Sequence, residues 1–263
     1  MGEEKLGYAA PALEKGLDIL ELLARDGQPM GTRQIAEELG RSKNEIFRMV
    51  HVLLDRGYIQ RDAATDMLML SNKLFALGMQ TARARNLVSV AAPVIERFAE
   101  AVHQAAHLVV ANRGETVIIA ASSGGADMNF SLKLGYRRPL ADAHSGLVLM
   151  AFQPPEIQDQ MITESLALMR QPPDRVSLLS ELEKVREAGA IVHESRDIVG
   201  VTDVTCPVLA ADGRAVACVT VVAVTRRGVA PNFEAMLERQ KAACAQIASQ
   251  MEAYSPAAQL ARG

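Results

Sequence analysis

Four side chains at helical spacing offer the groups that read the edges of DNA bases. Asn44, Phe47, Arg48 and His51 stand at positions i, i+3, i+4 and i+7, so a helix presents them on one face. Asparagine pairs with adenine, arginine pairs with guanine, and an aromatic ring packs against the thymine methyl group. The opposite face of the same helix is apolar: Ile46, Val50, Leu53 and Leu54. This segment predicts a helix buried on one side and suited to a major groove on the other.

The residues before this helix predict where it begins. Ser42 and Glu45 have the spacing of a capping box, which explains Ser42 better than a base contact does. The chain has a net charge of −3, yet five basic residues and only two acidic ones lie between Leu39 and Arg61. A local basic stripe favours a small specific DNA contact over a broad electrostatic one. We assign DNA contacts to seven residues: Arg33, Ser42, Lys43, Asn44, Phe47, Arg48 and His51.

The surrounding pattern is typical of a winged helix-turn-helix. Apolar periodicity predicts helices over 12–25 and 32–39, a third helix after Ser42, and a hairpin of 58–61 with 67–70. Helix, short helix, turn, helix and hairpin is the order of that motif. We therefore predict a DNA-binding domain over 1–70 and a linker helix over 71–86, with a second domain over 87–263. The same pattern is also compatible with a protein-interaction module.

The second half of the chain predicts an α+β domain. Strand patterns cover 107–111, 116–121, 128–134, 201–209 and 215–224, and helical patterns cover 146–152, 155–168, 178–188 and 232–254. The helical stretch over 71–103 contains Pro93, where we expect a break or restart. Leu74 and Leu77 on the linker helix are expected to contact either a second copy or their own domain.

The composition excludes several classes of protein. The 263 residues contain three cysteines, too few and too scattered for a disulfide framework or a zinc knuckle. No apolar run approaches the roughly 20 residues that span a bilayer, and the first residues are acidic, unlike an export signal. We expect a protein of the reducing cytoplasm.

Several short segments, taken in order, are similar to the IclR family of bacterial transcriptional regulators. They are 13–20 (LEKGLDIL), 35–40 (IAEELG), 56–59 (RGYI), Pro139-Leu140, Gly200-Val201, Pro207-Val208 and Asp212-Gly213-Arg214. The resemblance runs from Leu13 to about Ala248. It implies a winged-helix domain joined to a GAF-like, mixed α/β effector-binding domain. It also implies a homodimer or homotetramer that controls a nearby operon, as a local repressor, in response to a small molecule. A two-fold pair of reading helices predicts a pseudo-palindromic operator.

The resemblance also implies where the effector binds. The matching positions are His144, Ser145, Gly146, His193, Asp203, Thr220 and Val222. A helix amino terminus at 144–146 suits the carboxylate of an organic acid. Two departures affect the ligand: Ala141, followed by Asp142, stands where the family usually has His after Pro-Leu, and Asp203 stands where a small or sulfur side chain is common.

The carboxylate of Asp203 raises a second possibility for the effector. It would repel an acid unless it were protonated or paired with His144 or His193. We therefore also expect a polar metabolite that carries a hydroxyl or amine group near Asp203. Alternatively, Asp203 caps local backbone away from the ligand.

Catalytic motifs are weak in this sequence. His144-Ser145-Gly146 lacks the first glycine of a nucleophile elbow, since position 143 is alanine. Ser123-Gly124-Gly125 does not begin a phosphate-binding loop. A metal site at His144, His193 and Asp203 is conceivable, but a hydrogen-bonded pocket is the commoner outcome. We expect no cofactor, no metal and no enzyme activity. The alternative functions are a small-molecule-binding enzyme, or an interaction module without DNA binding.

Overall fold

A computed structural model describes residues 10–80, 82–125, 130–225 and 231–253. The chain forms two compact units, one ending at Ala84 and the other beginning at Arg85. Within the described residues, no helix is both long enough and apolar enough to cross a membrane.

The first unit is the predicted winged helix-turn-helix. Its elements are α1 (Pro11–Asp26), α2 (Thr32–Glu38), α3 (Lys43–Asp55), β1 (Ile59–Arg61), β2 (Leu68–Leu70) and α4 (Lys73–Gln80). The two strands pair antiparallel, with Ile59 opposite Leu70 and Arg61 opposite Leu68. Apolar residues from α1, α2, α3, β1 and β2 meet in the core, among them Ile19, Ile35, Ile46, Val50, Ile59 and Leu68. Apolar residues at helical spacing on α1 and α3 therefore fix how these helices pack.

The second unit is built on one antiparallel sheet. The described elements are α5 (Ala82–Val102), β3 (Ala106–Asn112), β4 (Glu115–Ser122), β5 (Arg137–Pro139), α6 (His144–Ala151), α7 (Pro155–Ala167), α8 (Arg175–Ala188), β6 (Ile191–Glu194), β7 (Val201–Leu209), β8 (Ala215–Val224) and α9 (Phe233–Ala253). The strand order is β5-β4-β3-β8-β7-β6. In β3, Leu108 faces α5 and α9, whereas Val109 faces α6 to α8. The alternation of side chains along a strand thus creates two cores, one on each face.

The predicted break at Pro93 is wrong. Helix α5 begins at Ala82 and continues through Pro93 to Val102. A proline inside a helix removes one backbone hydrogen bond. The residues around it, Ala91, Val94 and Ile95, are almost completely buried in the core beneath the sheet. The burial of this apolar face outweighs the lost bond, so the helix persists.

The strand predicted over 128–134 is also wrong within the described residues. Met128 and Asn129 lie outside those residues, and Phe130–Leu134 forms no strand. The Leu132 N–H donates instead to Nε2 of the His107 ring, at 3.0 Å. The chain then turns at Gly135, whose φ is +79°, and β5 pairs with β4 a few residues later. The side chain of His107 therefore accepts a backbone hydrogen bond that a neighbouring strand would accept if this segment were a strand.

Candidate nucleic-acid interface and ligand cavity

The structure divides α3 into the two faces that the sequence predicts. Ile46, Val50 and Leu53 are buried, and Leu54 is half-buried. The opposite face is open: Asn44, Phe47, Arg48 and His51 are all exposed. Phe47 keeps 57% of its surface accessible although it is a large aromatic residue. An amide, an aromatic ring, a guanidinium and an imidazole thus lie along one free helix face, which is the set of groups that major-groove readout uses.

Ser42 and Glu45 start this helix as the predicted capping box. The Glu45 carboxylate accepts the Ser42 backbone N–H at 3.2 Å and the Ser42 hydroxyl at 2.7 Å. Lys15 of α1 donates to the other Glu45 oxygen at 2.5 Å. Its hydrogen bond, together with those from Ser42, lowers the pKa of Glu45 to about 2. The hydroxyl proton of Ser42 is therefore committed to the cap, and α3 is tied to α1.

The two remaining predicted DNA contacts flank a shallow groove beside the start of α3. Arg33 and Lys43 are exposed, and both line the groove together with Gly40 and Arg41. Arg33 pairs with Glu37 at 2.8 Å, and Arg41 pairs with Asp18 of α1 at 2.8 Å. Arg41 belongs to the basic stripe between Leu39 and Arg61, but its ion pair with α1 was not predicted.

A cavity with about 620 Å³ of empty space opens against one face of the sheet in the second unit. The residues from the sheet alternate along neighbouring strands, as expected for side chains that share a face: His107, Val109, Thr116, Ile118, Asp203, Thr220 and Val222. The amino end of α6 supplies Ala143, His144 and Ser145. A loop after β6 supplies Ser195, Arg196, Asp197 and Ile198.

Five of the seven residues predicted to bind an effector line this cavity: His144, Ser145, Asp203, Thr220 and Val222. The other two are not among its lining residues. Gly146 packs against the turn before α6, where an added Cβ would come within 2.1 Å of the Leu140 carbonyl oxygen. His193 is exposed, and its ring centroid lies 5.6 Å from that of His144.

His144 is the partner of Asp203. Its Nδ1 lies 2.9 Å from Oδ2 of Asp203, and the imidazole is buried. His193 instead lies with its Nδ1 3.2 Å from the Glu194 carbonyl oxygen. The two residues that pair are 59 positions apart, because β7 brings Asp203 to the start of α6. The pair leaves the carboxylate of Asp203 in the cavity wall.

Two arginines among the described lining residues, Arg138 and Arg196, were not predicted from the sequence. Arg138 pairs with Asp142 and with Asp197, each at 2.7 Å. Arg196 donates to the Ala141 carbonyl oxygen at 3.1 Å and pairs with Glu181. The position of Arg138 next to Pro139-Leu140 was a usable signal, since that motif precedes the helix that lines the cavity.

The three cysteines lie in the cores. Burial raises the pKa of the Cys206 thiol to about 12, and it also raises the pKa values of the Cys218 and Cys244 thiols. A thiol with a raised pKa is a weak nucleophile at neutral pH. Among the residues described, no group of three His, Cys, Asp or Glu side chains is arranged to hold a metal ion.

Two family models match the chain. The model described as "Bacterial transcriptional regulator IclR C-terminal" matches residues 79–249, and the IclR helix-turn-helix domain matches residues 12–63. Among curated proteins, the HTH-type transcriptional repressor AllR of Salmonella typhi is 25% identical over 218 residues, which cover 81% of this chain and 79% of that protein. The AllR repressor of Escherichia coli K12 is 24% identical over the same shares of the two chains.

Solved structures share the fold. An IclR homologue from Microbacterium hydrocarbonoxydans, crystallised with 4-hydroxybenzoate, has a TM-score of 0.78 at 20% identity and covers 92% of this chain and 99% of its own. HmgR of Pseudomonas aeruginosa has a TM-score of 0.71 at 25% identity and covers 91% of this chain and 98% of its own.

Proposed function

Because the chain belongs to the IclR family of bacterial transcriptional regulators, we propose that it is a ligand-responsive repressor. It binds an operator through α3 and a small metabolite in the cavity of the second unit. The observation that carries this proposal is the free face of α3, where an exposed Phe47 lies between polar groups on a capped helix. The similarity to AllR, a transcriptional repressor, supports repression rather than activation.

On this proposal, the predicted DNA contacts divide into two kinds. Asn44, Phe47, Arg48 and His51 face the base edges, where they set sequence preference. Arg33 and Lys43 lie at or before the start of α3 and contact phosphates, which position the protein without reading sequence. Ser42, whose hydroxyl and backbone N–H are both held by Glu45, positions α3 through the cap. A regulator of this kind acts where the chromosome is, so the cytoplasm is its expected compartment.

The proposed assembly is a homodimer or a homotetramer. Two copies related by a two-fold axis present two α3 helices, and a two-fold pair of helices reads a pseudo-palindromic operator. The half-sites are then separated by about one helical turn of DNA.

The proposed effector site is the cavity beneath α6. It is partly apolar, and it contains a few convergent polar groups. The structural neighbour crystallised with 4-hydroxybenzoate supports a small organic ligand. Binding there would change the affinity for the operator through the coupling that defines allostery.

Selection of bound duplexes from a random double-stranded pool tests the proposal. The full chain is mixed with the pool at moderate salt, with and without a mixture of metabolites, and the bound sequences are read. Enrichment of a two-fold symmetric sequence is expected. Failure to enrich any sequence under either condition, with a folded protein, would refute DNA recognition and favour an enzyme or an interaction module.

A further inference from the structure

The positive charges in the wall of the cavity are already neutralised from within the protein. Arg138 lies between the carboxylates of Asp142 and Asp197. Arg196 is held by Glu181 and by the carbonyl oxygen of Ala141. A ligand carboxylate would meet guanidinium groups whose charge is already balanced by internal carboxylates, and displacing one of these partners would leave another charge unpaired.

The ring of His107 supplies no positive charge either. It is 1% exposed, and burial lowers its pKa although the Thr220 backbone and the Asp203 carboxylate oppose the shift. Its Nε2 accepts the N–H of Leu132, and its Nδ1 makes no hydrogen bond of normal geometry. At neutral pH this imidazole is therefore uncharged.

Asp203 has no such counter-charge. Within the described parts of the chain, no arginine or lysine pairs with its carboxylate, and its hydrogen-bond partner is the His144 imidazole. Among the described residues that line the cavity, three are aspartates, Asp142, Asp197 and Asp203, and two are arginines. The amino end of α6 does favour an anion, but its equivalent of about half a positive charge is smaller than the full negative charge of Asp203.

The rest of the wall suits an apolar ring. Phe130, Leu132, Tyr136, Ile118 and Ile198 all line the cavity. A ligand that fits this wall buries a hydrocarbon or aromatic part against these side chains. Its polar end then meets the Asp203 side of the cavity.

We propose that the cavity selects a neutral or cationic ligand, with an N–H donor for the Asp203 carboxylate, over a carboxylic acid of the same size. An aromatic or aliphatic amine and a carboxamide are the expected chemical classes. This inference rests on the proposed ligand-binding role of the cavity, and it specifies the charge of the ligand.

Three probes that share one ring test the inference: benzylamine, benzamide and benzoate. Saturation-transfer NMR measures their dissociation constants on the full chain at pH 8, where an ordinary histidine is neutral and cannot assist the anion. We expect benzylamine and benzamide each to bind at least about tenfold more tightly than benzoate, because only they can donate to Asp203.

Asp203→Asn is the matching variant, since asparagine keeps an oxygen that accepts the His144 N–H. It is expected to weaken benzylamine binding about tenfold through loss of the charged hydrogen bond, and to change benzamide binding less than about threefold. Asp212→Asn makes the same change of charge in the turn between β7 and β8, outside the cavity lining. It should leave all three constants unchanged.

Equal or tighter binding of benzoate to the natural chain would overturn the inference, and so would failure of all three probes to bind. The comparison among probes on the natural chain decides the matter even if Asp203→Asn does not fold. The measurement contains no DNA. A chain that binds benzylamine but enriches no duplex would therefore refute the proposed repressor and retain this ligand class.

Discussion

The ring of Phe47 is one of several large apolar side chains that stay accessible among the described residues, but its surroundings set it apart. Its neighbours on the same helix face are polar or charged, whereas Ile46, beside it in sequence, is completely buried. A single exposed apolar side chain is common, but one that lies among an amide, a guanidinium and an imidazole completes the set of groups that major-groove recognition uses. DNA is the molecule that we propose to cover this face of α3, and each of its side chains then makes its own contact with a base.

Arg48→Ala is expected to weaken binding to the selected operator by about 1–3 kcal/mol, because a bidentate contact with guanine is lost. The preference for guanine at the contacted position should also relax. Fluorescence anisotropy with the operator and with single-base variants measures both effects.

The control for this variant is Arg186→Ala, which removes the same charge from an exposed position in the last turn of α8. It should change affinity only slightly and leave base preference intact. If Arg48→Ala binds every duplex as the natural chain does, Arg48 does not read a base.

Asp197 provides a test of the charge in the cavity. Asp197→Asn removes one of the two carboxylates that neutralise Arg138. The positive charge of Arg138 is then balanced by one carboxylate instead of two, so benzoate should bind Asp197→Asn several-fold more tightly than it binds the natural chain. Titration by NMR measures the change, and no gain in benzoate affinity would mean that Arg138 stays unavailable to ligands.

At the scale of elements, the sequence predicts best where the determinants are local. The capping box, the apolar stripe and the basic face of α3 all lie within 42–54, and the structure confirms that capped, two-faced helix. The strand expected over 128–134 is absent from its described part, 130–134, because the backbone there bonds to His107. The His144–Asp203 pair joins residues 59 positions apart, and a pattern in one sequence does not specify which of two histidines a carboxylate will meet.

The cap of α3 predicts a dependence of stability on pH. Lys15 and Ser42 hold the pKa of Glu45 at about 2, below its ordinary value of 4.5. A carboxylate with a depressed pKa stabilises the fold fully above pH 4.5, and this contribution disappears as the pH falls through about 2. Glu45→Gln should therefore lower the free energy of unfolding at pH 7, and the difference from the natural chain should shrink between pH 4.5 and 2.

Urea unfolding followed by circular dichroism at several pH values measures this difference. Glu183→Gln, on the exposed side of α8, removes the same charge without touching the cap. If the free energy of unfolding of Glu45→Gln stays below that of the natural chain by the same amount down to pH 2, the carboxylate charge does not stabilise the cap.

The contact between α6 and the turn before it predicts a steric effect. Gly146→Ala places a methyl group within 2.1 Å of the Leu140 oxygen and 2.5 Å of its Cα. Overpacking of this kind costs about 1–3 kcal/mol, and it shifts the helix that lines the cavity. Gly16→Ala, in α1, meets no atom within 4 Å and should stabilise the chain by about 0.5–1 kcal/mol. Thermal unfolding compares the two, and equal stability of both variants would contradict the packing argument.

At the scale of the whole molecule, assembly decides whether one chain can read a symmetric operator. Leu74 and Leu77 of α4 keep 39% and 40% of their surfaces accessible, as residues that meet a second copy should before association. The double substitution Leu74→Asp with Leu77→Asp is expected to shift the chain toward monomer in sedimentation velocity experiments. Leu168→Asp alters a leucine that is 52% exposed just after α7 and should not. An unchanged distribution in the double variant would exclude α4 from the interface.

The pairing of β3 with β8 places Ala106 opposite Val221 at the centre of the sheet. The wing of the first unit, by contrast, is complete at Leu70. During synthesis at about 5–20 residues per second, the ribosome therefore finishes the winged helix-turn-helix on the order of ten seconds before it supplies β8, the later of the two central strands of the second unit. For that interval each nascent chain carries the proposed DNA-reading helix without a cavity, so control by a metabolite begins only when translation is nearly finished.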